Sequence, residues 1–310
     1  MESIGSIELW IGFTAFVLLM LALDLGIFHK ESHEVKFKEA LGWSIFWIAL
    51  AFIFNLGVYH WFGQVKAMEF LTGYIIEKTL SVDNIFIFVI IFTSFAVPNK
   101  YQHRVLFWGI LGALIMRAIF IFAGAALLMK FHWLIYIFGG FLIITGIKLL
   151  INRNEVPHPE KNFLFKLCTK FIPTVSEYHG DRLLIVKNGK RFATPLFMVL
   201  LAIEITDLIF AVDSIPAIFA ITNDPFIVFT SNIFAILGLR SLYFLLAGVV
   251  HKIRYLKAGL AVVLVFVGIK MAMLDIYKIP VAISMLFILA TILISVAASF
   301  IIPDRKCNDV

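Results

Sequence analysis

The sequence predicts an all-α membrane protein: nine transmembrane helices, containing two inverted three-helix repeats, with the N-terminus outside and the C-terminus in the cytoplasm. Long apolar runs, an alternation of basic and non-basic loops, and an acidic motif that occurs twice lead to this prediction. Of 310 residues, 62% are hydrophobic and 15% charged, whereas a soluble domain is nearer half apolar and a quarter charged. A helix needs roughly 20 apolar residues to cross the hydrocarbon core, and with no water there its backbone groups must bond within the helix.

By that measure the spans fall at about 9–28, 40–62, 69–95, 105–129, 132–151, 194–221, 226–250, 255–274 and 279–301. The first follows an acidic N-region and lacks a small-residue cleavage site, so it reads as a span and not a removable signal. Loops on one side carry Lys30, Lys36 and Lys38; Lys100 and Arg104; eight basic residues between 152 and 193; Lys252, Arg254 and Lys257; and Arg305 and Lys306. The opposite loops hold only Lys66, Lys130 and Lys278. The positive-inside rule sets the orientation from this contrast. The net charge of +6 and pI near 9.2 are therefore explained by an anionic inner leaflet, and nucleic acid is not an expected partner.

The one long loop, 152–193, is expected in the cytoplasm. Phe163, Leu164, Leu167 and Phe171 share a helical face there, as in an interfacial amphipathic helix. Asn188-Gly189 between short apolar stretches signals a hairpin. Cys168 and Cys307 lie far apart outside the apolar runs and no CxxC pair occurs, so neither a disulfide framework nor a dithiol redox site is indicated.

A repeat emerges inside the spans. The third reads GYIIEKTLSVDNIFIF and the sixth AIEITDLIFAVDSIPAIF. Glu77 and Asp207 each precede a second carboxylate, Asp83 or Asp213, by six residues, and each second carboxylate sits in Val-Asp-(Asn/Ser)-Ile. The next span of each set carries one arginine, Arg117 or Arg240, and the span after that carries Gly-Ile-Lys, ending at Lys148 or Lys270. Each unit has three spans, an odd number, so the second copy enters the bilayer from the opposite side. Inverted repeats with a site near the midplane are a recurring transporter architecture. The chain then divides into 1–66 (two helices), 67–151 (first repeat), 152–193 (loop), 194–276 (second repeat) and 277–310 (last helix and tail).

Asp24, Glu77, Asp83, Glu204, Asp207 and Asp213 all lie within spans. Each such charge costs about 2.5–3.5 kcal/mol on insertion scales, so it is paired, near water or functional. Internal ion pairing competes as an explanation, since five bases share the spans. Lys148, Lys270 and Asp24 lie near span ends and could snorkel. Residues six apart on a helix differ by about 120°, which turns the two carboxylates of each motif to different neighbours. Pro216 favours a kink beyond Asp213 that would free carbonyl oxygens. Asn84 and Ser214 add neutral oxygens beside the aspartates. Glu77, Asp83, Asn84, Glu204, Asp207, Asp213 and Ser214 are thus the candidate metal ligands, a hard-oxygen set suited to Mn²⁺, Mg²⁺ or Ca²⁺. Arg117, Arg240, Lys148 and Lys270 are the candidate charge-balancing residues. The eight histidines fall in loops or near span ends, as expected of loop residues.

EKTLSVDN, EITDLIFAVDSIPAIFAIT and DPFIVFTSNIFAILGLRSLYFLLAG resemble the TerC family (tellurium-resistance protein C) of the LysE-type transporter superfamily, in its long, Alx-like branch. That resemblance covers nearly the whole chain. It implies bacterial inner-membrane metal-ion homeostasis, Mn²⁺ export above all, with a historical link to tellurite resistance. The expected function is export of a divalent cation by alternating access, with Asp83 and Asp213 as central ligands, Glu77 and Asp207 as their partners, Glu204 as a ligand or proton carrier, proton coupling, no permanently bound cofactor and no enzymatic activity. The alternative is a non-transporting membrane scaffold in metal or tellurite stress. The sequence leaves the ion, the coupling and the oligomeric state open.

Overall fold

The computed structural model describes residues 3–26, 37–131, 133–151, 173–175, 177–187, 189–247, 255–277 and 279–301; it describes all of their side chains except those of 23–26, 83, 86, 94, 128, 129 and 213. The expected amphipathic helix at 163–171, both cysteines and Asn188 lie outside the described residues, as do the side chains of Asp24, Asp83 and Asp213.

The chain is mostly helical: α1 (Ile7–Gly26), α2 (Phe37–Ser94), α3 (Asn99–Lys130), α4 (Leu134–Ile151), α5 (Pro195–Phe219), α6 (Pro225–Leu237), α7 (Leu239–Leu246), α8 (Leu256–Ala272) and α9 (Val281–Ile301). Strands β1 (Leu184–Lys187) and β2 (Lys190–Ala193) form an antiparallel hairpin, Leu184 opposite Ala193 and Lys187 opposite Lys190, where the Asn-Gly signal placed one. Proline at the first helical position starts α5 and α6, where its missing N–H is no loss. Asp224 caps α6, accepting from Phe226 N at 3.0 Å.

Among the described residues, α2, α3, α4, α5 and α9 are long and apolar enough to cross a membrane, with a sixth span if α6 and α7, bent by 42°, count together. The shortfall from nine has physical causes. α2 is a single run of 58 residues, about 87 Å at 1.5 Å per residue and far longer than one bilayer crossing of about 30 Å. Gly63 interrupts it at φ 86°, ψ 174°, a conformation open to glycine and hostile to a Cβ. α1 and α8 offer only short apolar stretches, Ile7–Ala22 in α1 and the 17 residues of α8.

Pro216, where the sequence favours a kink, lies inside α5. α5 continues through it and stops at Phe219, the Ala220 amide bonding back to Pro216 O at 3.0 Å. The pronounced break falls instead at Gly238, between α6 and α7, a span that the sequence reads as continuous. Lys78 Nζ from α2 donates there to Ala235 O at 3.2 Å, placing a cation on the carbonyl end of α6.

Three helix pairings dominate the interior: α2 with α6, α3 with α5, and α4 with α8. The last is the closest. A Cβ at Gly268 would lie 2.6 Å from Gly139 O, one at Gly139 would lie 2.9 Å from Gly268 O, and one at Gly146 would lie 2.8 Å from Ala261 O. Rising numbers on α4 thus meet falling numbers on α8, so the two run antiparallel. α6 is buried almost end to end, wrapped by aromatic rings such as Trp10 on Phe226 at 5.0 Å and Phe54 on Phe234 at 4.9 Å. Large apolar side chains cover the outward faces, among them Leu56, Ile119, Ile144 and Leu293, as a lipid solvent demands.

The helix ends gather in two sets. Ser3, Lys66, Glu69, Thr222 and Asp224 form one network, and Tyr136 OH donates to Asp275 at 2.5 Å. Elsewhere Tyr178 OH donates to Phe95 O at 2.5 Å, Arg104 pairs with Asp181, and Tyr255 N donates to Ser299 Oγ at 3.0 Å. Each contact joins segments that the basic-residue pattern puts on one side of the membrane.

Candidate cation site

Four helices deliver polar groups to one buried point. α2 supplies Glu77 and Asn84, seven residues apart and so two turns along one face. α5 repeats that spacing with Asp207 and Ser214. α3 brings Arg117 and α6 brings Asn232. Arg117, Glu77, Asn84 and Ser214 are each 1% exposed, Asp207 3% and Asn232 0%, so no bulk water reaches them.

Arg117 is the hub. Its Nη1 donates to Glu77 Oε1 and, at 3.2 Å, to Asn232 Oδ1; its Nη2 donates to Asp207 Oδ1 at 2.9 Å, and its Nε to Asp207 Oδ2 at 3.2 Å. The Asp207 contact is the two-pronged pairing that suits guanidinium and carboxylate. Asn232 Nδ2 donates to Glu77 Oε2 at 3.0 Å and Asn84 Nδ2 to Asp207 Oδ1 at 3.3 Å. Glu77 and Asp207, one from each acidic motif, therefore share one cation. Two carboxylates against one guanidinium leave a negative charge in a water-free interior, which favours a further cation.

Asn84 Oδ1, in this network, has no hydrogen-bond partner among the described residues, and neither has Ser214 Oγ, two turns beyond Asp207 on α5. A buried polar atom left unpaired costs about 1–3 kcal/mol, and such a group in a folded protein calls for an explanation. With the two carboxylates and Asn232 Oδ1, the centre offers oxygen donors throughout, the ligand chemistry of Mn²⁺, Mg²⁺ and Ca²⁺. Among the described residues no three His, Cys, Asp or Glu side chains converge; Asp83 and Asp213 lie outside that comparison.

The sequence pattern that defines the "Integral membrane protein TerC family" matches residues 62–307. The chain belongs to the TerC family. It is 58% identical over 299 residues to the "Uncharacterized membrane protein STKORF319" of Myxococcus xanthus, covering 96% of this chain and 94% of that protein. It is 45% identical over 294 residues, 92% of each chain, to the protein named "Putative membrane-bound redox modulator Alx" in Escherichia coli K12. A protein of the same name in Photorhabdus laumondii is 46% identical over 292 residues, 91% of each chain. No solved structure matches the chain.

Within this TerC chain the other expected site residues are placed differently. Glu204, one turn before Asp207 and half-buried, packs its carboxylate on Gly112 of α3, where any Cβ would collide with Oε1; it makes no hydrogen bond to the Arg117 network among the described residues. Arg240 is buried near the start of α7 with Nη1 2.9 Å from His103 Nε2, and His103, near the start of α3, is itself buried. Lys148 is exposed on α4, and among the described residues the cation hydrogen-bonded to Glu77 and Asp207 is Arg117. Lys270 is buried on α8. Asn232 was not anticipated, although an asparagine in the apolar run FTSNIFAIL was the available signal, since an amide at that depth needs a partner.

Proposed function

We propose that this TerC protein is a multi-pass bacterial inner-membrane transporter that exports a divalent metal cation, Mn²⁺ foremost, by alternating access at the Glu77–Asp207 centre. The observation that carries the proposal is the convergence of one carboxylate from each acidic motif on Arg117, beside oxygens that lack partners.

Nine spans and two inverted repeats underlie this reading. α2 supplies two spans joined at Gly63, and the bent α6–α7 pair supplies one. In the register of the two Gly-Ile-Lys triplets, Gly139 corresponds to Ala261 and Gly146 to Gly268. The contacts Gly139–Gly268 and Gly146–Ala261 are then reciprocal, as expected for antiparallel copies about a two-fold axis. The pairings of α2 with α6 and α3 with α5 exchange in the same way. Same-side contacts at the helix ends support the orientation.

In the cycle, a divalent cation from the cytoplasm takes the place of the guanidinium between Glu77 and Asp207. A charge of +2 neutralises both carboxylates, whereas a monovalent ion leaves one uncompensated, so the exchange favours divalents. Asp83 and Asp213 complete the ligand set. After outward release Arg117 returns and offsets one of the two buried carboxylate charges of the empty site. We assign the exchanged proton to Glu204, set apart from the guanidinium network.

The test is flux in proteoliposomes and metal accumulation in cells lacking the protein. Wild type lowers cell Mn²⁺, while Asp83→Asn, Asp207→Asn and Asp213→Asn do not. Equal rescue by these variants would refute the site. Absence of flux through purified, folded wild type would favour the scaffold reading instead.

A further inference from the structure

The sequence treats Lys66, Glu69 and Asp224 as ordinary residues of helix ends and loops. In the structure they form a second, separate charge cluster. Lys66 Nζ lies 2.8 Å from Glu69 Oε2 and 3.6 Å from Asp224 Oδ2. Thr222 Oγ1 donates to Glu69 Oε2 at 2.6 Å. Asp224 Oδ1 accepts from Ser3 Oγ at 2.8 Å and from Phe226 N at 3.0 Å; its Oδ2 accepts from Ile4 N at 2.9 Å. The side chain of Asp224 is 1% exposed and that of Glu69 12%.

These residues come from the N-terminal segment, from α2 just past its Gly63 break and from the α5–α6 connection. The cluster therefore ties the first repeat to the second at one end of the molecule. Glu69 is eight residues before Glu77 on the same helix, about 12 Å along its axis, so the cluster stands between the central site and the expected outer surface. In the register of the two acidic motifs, Glu69 corresponds to Val199, which is wholly buried and apolar. The opposite end of the molecule thus has no carboxylate at the mirrored position.

We infer that Lys66, Glu69, Thr222 and Asp224 form a polar latch that closes the outer end of the transport path and breaks when that path opens. The inference rests on the alternating-access reading. Its physical basis is the small net worth of buried ion pairs: water repays the desolvation of both partners when they part, so such a closure is specific in geometry yet inexpensive to open. An apolar seal of the same area would resist opening, because every separated surface would have to be wetted. Gly63, three residues before Lys66, supplies a backbone break beside the latch.

The test is thiol accessibility from the outer side in the full-length protein, with Cys168 and Cys307 replaced by serine and Thr72→Cys as reporter. Thr72 is fully buried, one turn inward from Glu69. With the latch intact, an impermeant maleimide should label Thr72→Cys slowly. Adding Glu69→Gln with Asp224→Asn, the latter keeping a capping side chain, should raise the rate at least about tenfold, each 1.4 kcal/mol of closure being worth one decade. Ile276→Cys, exposed at the same end, should label equally in both backgrounds. Lys66→Gln alone gives the same reading should the double variant not fold. An unchanged Thr72→Cys rate, or a rise seen only from the cytoplasmic side, would overturn the latch. Labelling requires no metal. Flux retained by Asp207→Asn with latch-dependent labelling intact would therefore sink the transport site and leave the latch standing; the converse pattern would do the opposite.

Discussion

Replacing Arg117 by glutamine separates two roles for the guanidinium. In wild type it makes four donor contacts to Glu77, Asp207 and Asn232 at nearly complete burial. Arg117→Gln leaves two carboxylates in the interior with no cation, and breaking a buried pair in this way costs about 3–5 kcal/mol. Against a total stability of about 5–15 kcal/mol the variant stays folded but weakened, its thermal midpoint falling by about 5–8 °C. The sign of the metal effect is the sharper expectation. With the guanidinium gone, Mn²⁺ binds without displacing anything, and at a hundred times its dissociation constant it restores about 2.7 kcal/mol. In wild type the same concentration stabilises less, because the guanidinium must leave first. Thermal unfolding of purified protein in detergent, with EDTA and then with graded Mn²⁺, measures both. Transport falls in the variant because the empty carrier has no internal cation for its return. A variant that Mn²⁺ stabilises no more than wild type would refute the exchange of arginine for metal.

Asn232→Ala removes the amide that joins Glu77 to Arg117, so flux in proteoliposomes should drop and half-saturation should need more Mn²⁺; unchanged kinetics would make the amide a bystander. Gly268→Ala puts a methyl 2.6 Å from Gly139 O, and overpacking of this kind costs about 1–3 kcal/mol, to be read as a lowered thermal midpoint. Asp181→Asn breaks the pair with Arg104, but both side chains are 42% exposed, so stability should move by less than about 1 kcal/mol. Lys148→Gln, at an exposed position, should leave flux unchanged; a lost rate would return this lysine to the site.

The sequence revealed the acidic centre well in part. Glu77 and Asp207 could be found because the same spacing occurs twice, and a carboxylate in an apolar run announces itself by its insertion cost. The repeat does not name a side chain's partners, which are set by the helix packed opposite: Arg117 reaches Glu77 and Asp207, and Arg240 has His103 at 2.9 Å. Asn232 escaped for a related reason: its counterpart in the register of the two arginines is Gly109, so no repetition marked it. The nine expected spans and the helices diverge where backbone detail decides. Gly63 interrupts α2 with a non-helical conformation inside a run of 58 residues, and Gly238 breaks an apolar stretch that hydropathy shows as smooth. Lys66, Glu69 and Asp224 were passed over because charged residues at helix ends are ordinary in sequence. Only their mutual distances make them a cluster.

The glycine crossing of α4 and α8 also bears on how the protein is made. Gly139 finds its companion only when residue 268 has left the ribosome, about 6–26 s later at usual synthesis rates of about 5–20 residues per second. During that interval the newborn α4 offers lipid the notched backbone at Gly139 and Gly146 that α8 later covers. The two halves are consequently co-dependent products of a single translation event, and a chain cut short before α8 would leave its earlier half without a lasting shape.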